Sequence, residues 1–167
     1  FMDLLDQTIK ELKGEKLEEF KTEINMRVDI RIPEEYLPQI NLRLNLYKRI
    51  ASIENLAELE KIREEIQDRF GPVPESVANL LSYGAVKHLA NKIRIKAIDR
   101  IGGRLIFRFA PAALADVGAL TRALQRRRGT LTPQGVLSLP LSSAKGSAAM
   151  DETLSVLKEF YGYNIMD

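Results

Sequence analysis

The residues that could do chemistry in this chain are few, and each lacks the company a reaction needs. His88 is the sole histidine, so a multi-histidine metal site is impossible and a serine triad has one candidate base. The surrounding pattern puts it on a helix near the edge of an apolar stripe, where a partly buried or surface histidine is the ordinary reading. There is no cysteine, which excludes disulfides, thiolate metal ligands and cysteine nucleophiles and is compatible with a reducing cytoplasm. No GxxxxGK[ST] loop cradles phosphates, and Gly102-Gly103 is not followed by a helix, as a dinucleotide site requires. Glu34-Glu35 and Glu64-Glu65 are everyday surface carboxylates whose spacing singles out no acid/base pair. The expectation is a non-enzymatic chain with no metal or cofactor of its own.

Charge is the feature left to explain. Residues 1–91 carry 13 Lys/Arg against 17 Asp/Glu, net −4, whereas residues 92–167 carry 12 against 6, net +6. On a helix over 54–70, Leu59, Ile62, Ile66 and Phe70 form one stripe with Leu56 near its edge. Asp68 then lies roughly opposite, with Glu54, Lys61, Glu64 and Glu65 fanned around it. Glu65 and Asp68, three apart, share a face and could together receive an arginine from a partner. The plainer alternative is a solvated face laced by local pairs such as Glu65–Arg69. In the basic half, Arg122, Arg126, Arg127 and Arg128 could contact phosphates. Cations at a helix C-terminus also complement the macrodipole, and no interleaved aromatic set suggests a single-strand platform.

Positioning these residues requires a series of elements. Residues 3–20 read as a helix through Leu4, Leu5, Ile9, Leu12 and Leu17. From Glu23 to Ile32, Ile24, Met26, Val28, Ile30 and Ile32 alternate with polar residues, the clearest half-buried strand in the chain. Residues 39–53 fit a strand by alternation and a helix by composition; Ile40, Leu44, Tyr47, Ile50 and Ala51 at helical spacing favour helix. Gly71 and Pro72 stop the 54–70 helix, and Pro74 starts another to about Asn91 that buries Val77, Leu80, Leu81, Ala85 and Leu89. Gly102-Gly103 is the turn of a hairpin with arms Ile95–Ile101 and Arg104–Phe109. Leu114, Val117, Thr121 and Leu124 mark a helix closing in Arg126-Arg127-Arg128-Gly129. A second hairpin joins Thr130–Thr132 to Val136–Leu139, Ser142–Ala149 is a small-residue loop, and a last helix over about 150–161 buries Met150, Leu154, Leu157 and Tyr161, with Gly162 as its stop. The order predicts an α+β fold with helices mainly on one side of a small, mostly antiparallel sheet.

At 167 residues the chain suits one domain with a short appendage, and 45% hydrophobic residues supply its core. The first residues lack the basic-then-apolar order of a signal peptide, and no apolar run approaches the roughly 18 residues that span a bilayer.

Four stretches in order carry a resemblance: 43–51 (RLNLYKRIA), 58–62 (ELEKI), 68–74 (DRFGPVP) and 77–81 (VANLL), preceded by 32–38 (IPEEYLP). Together they resemble the carboxy-terminal domain of the bacterial transcription-repair coupling factors, with the match specific over about 22–92. The resemblance implies a cytoplasmic parent that translocates on double-stranded DNA using ATP and magnesium in motor domains outside this chain. That parent displaces stalled RNA polymerase and recruits the excision-repair protein UvrA. Residues 1–21 would be a connecting helix from the preceding translocase module and 22–167 the regulatory domain. The domain would pack on the parent's amino-terminal UvrA-binding module, masking it and restraining the motor. Lys61, Glu64, Glu65, Asp68 and Arg69 would form that interdomain contact. The alternative expectation is a direct DNA-binding module using the basic half.

Overall fold

The chain is described by a computed structural model over residues 21–111, 113 and 117–161. The order is β1 (Glu23–Asn25), α1 (Ile40–Ala51), α2 (Ala57–Phe70), α3 (Glu75–Ile93), β2 (Ile95–Ile101), β3 (Arg104–Phe109), α4 (Val117–Arg126), β4 (Thr130–Leu131), β5 (Val136–Pro140) and α5 (Gly146–Tyr161). The expected helix over 3–20, the helical position of Leu114 and the stop at Gly162 lie outside the described residues.

The sheet runs β1-β2-β3-β5-β4, with β1 parallel to β2 and the other pairs antiparallel. Its centre is the expected hairpin: Gly102 and Gly103 both adopt positive φ (55° and 76°), a conformation that glycine accepts without a Cβ penalty. Register then places Ile98, Phe107 and Leu137 in one row and Leu105 beside Leu139 in the next. These five and Ile95 are at most 1% exposed, whereas Asp99, Ile106 and Ser138 on the other face stay partly open. The helices therefore cover one face. Phe160 of α5 meets Phe107 edge-on, centroids 5.7 Å apart.

α3 is the central helix, with ten buried residues from Val77 to Ile93. α1 approaches it so closely that a Cβ on Gly84 would lie 2.7 Å from Ile50 Cγ2, so only glycine lets the two backbones come this near.

Several expectations are corrected. The strand over 23–32 is hydrogen-bonded as a strand only at Glu23–Asn25, although its alternation survives as burial: Met26 and Ile32 are buried, and Arg27, Asp29 and Arg31 are exposed. Arg27 turns the backbone to φ 56°, and Arg100 takes the carbonyls that a neighbouring strand would have used. Its Nε donates to Met26 O at 2.6 Å, and Nη2 and Nη1 donate to Arg27 O and Ala144 O at 2.9 Å each. On α1, Ile40 and Leu44 are 60% and 56% exposed, because Leu46 and Ile50 supply the buried face. On α4, Val117 and Thr121 point outward, while the small Ala119 and Ala123 let the helix sit close against its neighbours. The 54–70 helix begins at Ala57, where the preceding residues bond into its first turn: Asn55 Oδ1 accepts from Glu58 N–H, and the Glu58 carboxylate accepts from Glu54 N–H. The small-residue loop ends early, with α5 starting at Gly146, where a Cβ would stand 3.0 Å from Val28 Cγ2. Thr153 and Phe160 are buried there, and Leu154 and Tyr161 only partly.

Candidate functional site

Helix α2 divides cleanly into two faces. Leu59, Ile62 and Ile66 are buried, and Phe70 is half-buried against the Tyr36 ring, edge-on at 6.0 Å. The opposite face is wet: Lys61, Glu64, Asp68 and Arg69 are exposed.

The C-terminal end of α2 is held from outside the helix. The Tyr36 hydroxyl donates toward Gly71 O, just past the helix end, at 2.9 Å and toward Ile66 O in its last turn at 3.1 Å. Burial pushes the Tyr36 phenol up from its ordinary value, with the nearby Arg63 charge acting in the opposite sense. Gly71 completes the stop at φ 93°.

Within this frame the sequence-chosen residues fare differently. Glu65 is half-exposed and accepts a charge-assisted hydrogen bond from Arg49 of α1. That replaces the expected Glu65–Arg69 pairing. Arg69 instead lies over the Phe70 ring, its guanidinium carbon 4.9 Å from the centroid. No hydrogen bond or ion pair engages Asp68, Glu64 or Lys61 among the described residues. The outer ridge therefore runs Lys61–Glu64–Asp68, spaced three and four residues apart on one side of the helix, with Glu65 tied to α1 beside it.

Sequence reasoning missed the part that α1 plays. Arg43 Nη1 donates to Leu37 O and Pro38 O, both at 2.8 Å, and the Tyr47 hydroxyl accepts from Ile32 N–H at 2.8 Å. Arg49 steadies Glu65. The RLNLYKRIA stretch is thus a set of fasteners joining the 32–38 loop, α2 and α3. Only contacts 16 residues apart or more reveal the Arg49–Glu65 tie, so no local period signals it.

The basic candidates differ in exposure. Arg126 and Arg128 are exposed, and Arg128 occupies the left-handed position (φ 53°) past the end of α4. Gly129 follows because its Cβ would strike Leu139 Cδ2 at 2.4 Å. Arg127 turns inward to Glu152 of α5 at 3.5 Å, and Glu152 also accepts from Ser142 Oγ at 2.6 Å. Arg122 is exposed and has contacts of its own. The structure does not gather the four into one exposed patch. His88 is half-buried and lines an apolar cavity between α1 and α3. Among the described residues no cluster of three or more His, Cys, Asp or Glu could hold a metal, and no helix is long and apolar enough to cross a membrane.

Comparison with known proteins places this geometry. The TRCF domain model matches residues 26–120, which span α1, α2, α3 and the central hairpin. The transcription-repair-coupling factor of Haemophilus influenzae is 37% identical over 105 residues, 59% of this chain and 9% of that protein. The Escherichia coli factor is 34% identical over the same extent, and the Myxococcus xanthus factor 24% identical over 163 residues, 95% of this chain. This chain thus spans about a tenth of the length of the relatives it matches. A crystal structure of the C-terminal domain of a transcription-repair coupling factor superposes with a TM-score of 0.66 at 24% identity, covering 83% of this chain and 94% of that one, a likeness of fold. With more than half its length matched by the family model, this chain belongs to the TRCF domain family, the C-terminal domain of the transcription-repair coupling factors that serve DNA repair.

Proposed function

We propose that this domain is an autoinhibitory clamp: the outer ridge of α2 docks on a basic surface of the parent's own amino-terminal UvrA-binding module. In the closed state that surface is hidden from UvrA and the ATP-driven DNA motor is restrained until stalled RNA polymerase is engaged. The observation that carries the reading is the state of Asp68 and Glu64, exposed carboxylates with no cation spent on them among the described residues. Their helix is fixed to the fold at both ends, by the Asn55/Glu58 cap and by Tyr36, so the ridge is pre-formed and loses little freedom on docking. Tethering within one polypeptide raises the effective concentration of such a modest polar contact.

The test is a Glu64→Ala/Asp68→Ala change in the full-length parent, with Glu65→Ala/Asp68→Ala alongside. Both should raise UvrA binding and basal ATPase while the domain stays folded, the first without disturbing the Arg49 tie. Unchanged UvrA binding and ATPase in both would remove the clamp assignment. A direct DNA-binding role has weaker support, since Arg127 is committed to Glu152; it requires salt-sensitive duplex binding by this domain alone.

A further inference from the structure

Of the carboxylates Glu64, Glu65 and Asp68 on α2, only Glu65 has a cationic partner among the described residues, the Arg49 guanidinium of α1. Holding the fold together is a small part of what this tie can do. Both side chains are 42% exposed, and an ion pair so open to water stabilises weakly. α1 is anchored without it, by buried Leu46 and Ile50, by Arg43 at the Leu37 and Pro38 carbonyls, and by the Tyr47 hydroxyl at Ile32 N–H. Lys48, in the same last turn, already complements the negative end of the α1 dipole. The larger effect of Arg49 is electrostatic. It seats a guanidinium on the side of α2 that carries the free carboxylates, and so displays the chemistry that side accepts.

We propose that Arg49 is an attenuator of the clamp, an internal cation that neutralises Glu65 and keeps closure weak enough to be reversed. This rests on the docking role of the α2 ridge given above. A basic surface approaching Glu64 and Asp68 meets Glu65 already matched by a positive charge, where a third free carboxylate would otherwise stand. To use Glu65 as well, the incoming cation must displace Arg49, which exchanges one exposed ion pair for another with little net gain. An autoinhibitory contact must hide a surface and yet release it, so its strength has an upper bound. Arg49 holds the ridge below that bound.

Charge sign gives the test, because the two halves of the pair should act in opposite directions. In the full-length parent, Arg49→Gln frees Glu65 and should tighten closure, lowering UvrA affinity and basal ATPase by roughly three- to fivefold at low salt. Glutamine suits an exposed helical position, so the variant folds. Glu65→Gln leaves the Arg49 charge facing the partner and should raise both readouts by a similar factor. The double change Arg49→Gln/Glu65→Gln should return both to the unaltered level, Arg49→Lys should keep them there, and added salt should shrink every effect. A merely structural tie gives both single changes the same direction, since either one breaks the same bond. That result would overturn the attenuator. So would an Arg49→Gln variant with unchanged UvrA binding while Glu64→Ala/Asp68→Ala raises it, and the clamp would stand. If Glu64→Ala/Asp68→Ala changes nothing either, the clamp falls and the attenuator falls with it.

Discussion

The two charged halves of this domain handle their charges in opposite ways. In the acidic half, α2 leaves Glu64 and Asp68 outside, with a single lateral tie from Arg49 to Glu65. In the basic half several arginines make contacts within the domain, while Arg122, Arg126 and Arg128 stay exposed. Arg100 gathers three backbone carbonyls, Arg104 donates from Nε to Ser138 Oγ at 2.7 Å, Arg108 approaches Asp99 at 3.8 Å, and Arg127 closes on Glu152. Net charge counted along the sequence is therefore a poor guide to charge offered to a partner. Part of a net of +6 is taken up by carbonyls and a few carboxylates, whereas Glu64 and Asp68, left unpaired on one helix face, present their charge to solvent.

Disrupting the sheet core sets the upper end of the scale. Phe107→Ala, beneath Phe160, should cost about 3–5 kcal/mol in denaturant unfolding, since a fully buried aromatic leaves a cavity. Arg100→Ala should come next: losing three bonds from a charged donor should destabilise by roughly 2–4 kcal/mol and raise amide exchange through residues 26–30, where Arg100 replaces a strand partner. If the basic half were a binding surface more than a structural one, this variant would unfold normally and lose DNA affinity instead. Gly84→Ala should cost about 1–3 kcal/mol, because Ile50 Cγ2 lies near its backbone and has little room to yield.

Tyr36 supplies a pH test on the acidic side. Its phenol is raised by burial, so the unfolded chain ionises first as pH climbs. Stability from this residue is complete below the ordinary tyrosine value of 10.0 and is lost as pH rises through the folded one. The decline above pH 10 should be shallower in Tyr36→Phe, which itself should cost about 1 kcal/mol at neutral pH. At the small end, Asp68→Asn should move the thermal midpoint by no more than about 2 °C, as expected of an unpaired surface carboxylate. A larger drop would mean that Asp68 is structural, and the contrast between the halves would blur.

How much of this was legible in sequence depends on range. Elements fixed by local physics were readable: the Gly102-Gly103 hairpin, the Gly71-Pro72 stop, the stripe of α2 and the burial of Val77, Leu80, Leu81, Ala85 and Leu89. Alternation from Ile24 to Ile32 separated the inward side chains (Met26 and Ile32 buried, Ile24, Val28 and Ile30 partly so) from the outward ones but did not give the hydrogen bonding, because Arg100, 73 residues away from Arg27, takes the carbonyls. The choice between stripes on α1 and α4 also depended on partners. Gly84 admits Ile50, and the alanines of α4 admit close approach, so size complementarity outranked hydrophobicity. On the ridge, helical geometry put Asp68 opposite the core as found, but which carboxylate is already paired depends on Arg49, which no local pattern ties to Glu65.

The clamp rests most directly on one association. This domain should be titrated into the parent's separate amino-terminal module at rising ionic strength, with and without Asp68→Asn. Binding should weaken several-fold between low and physiological salt and again on the substitution, the two effects overlapping because they remove the same attraction. Binding that ignores both salt and Asp68, or no binding at low salt, would contradict a charged ridge as the docking element.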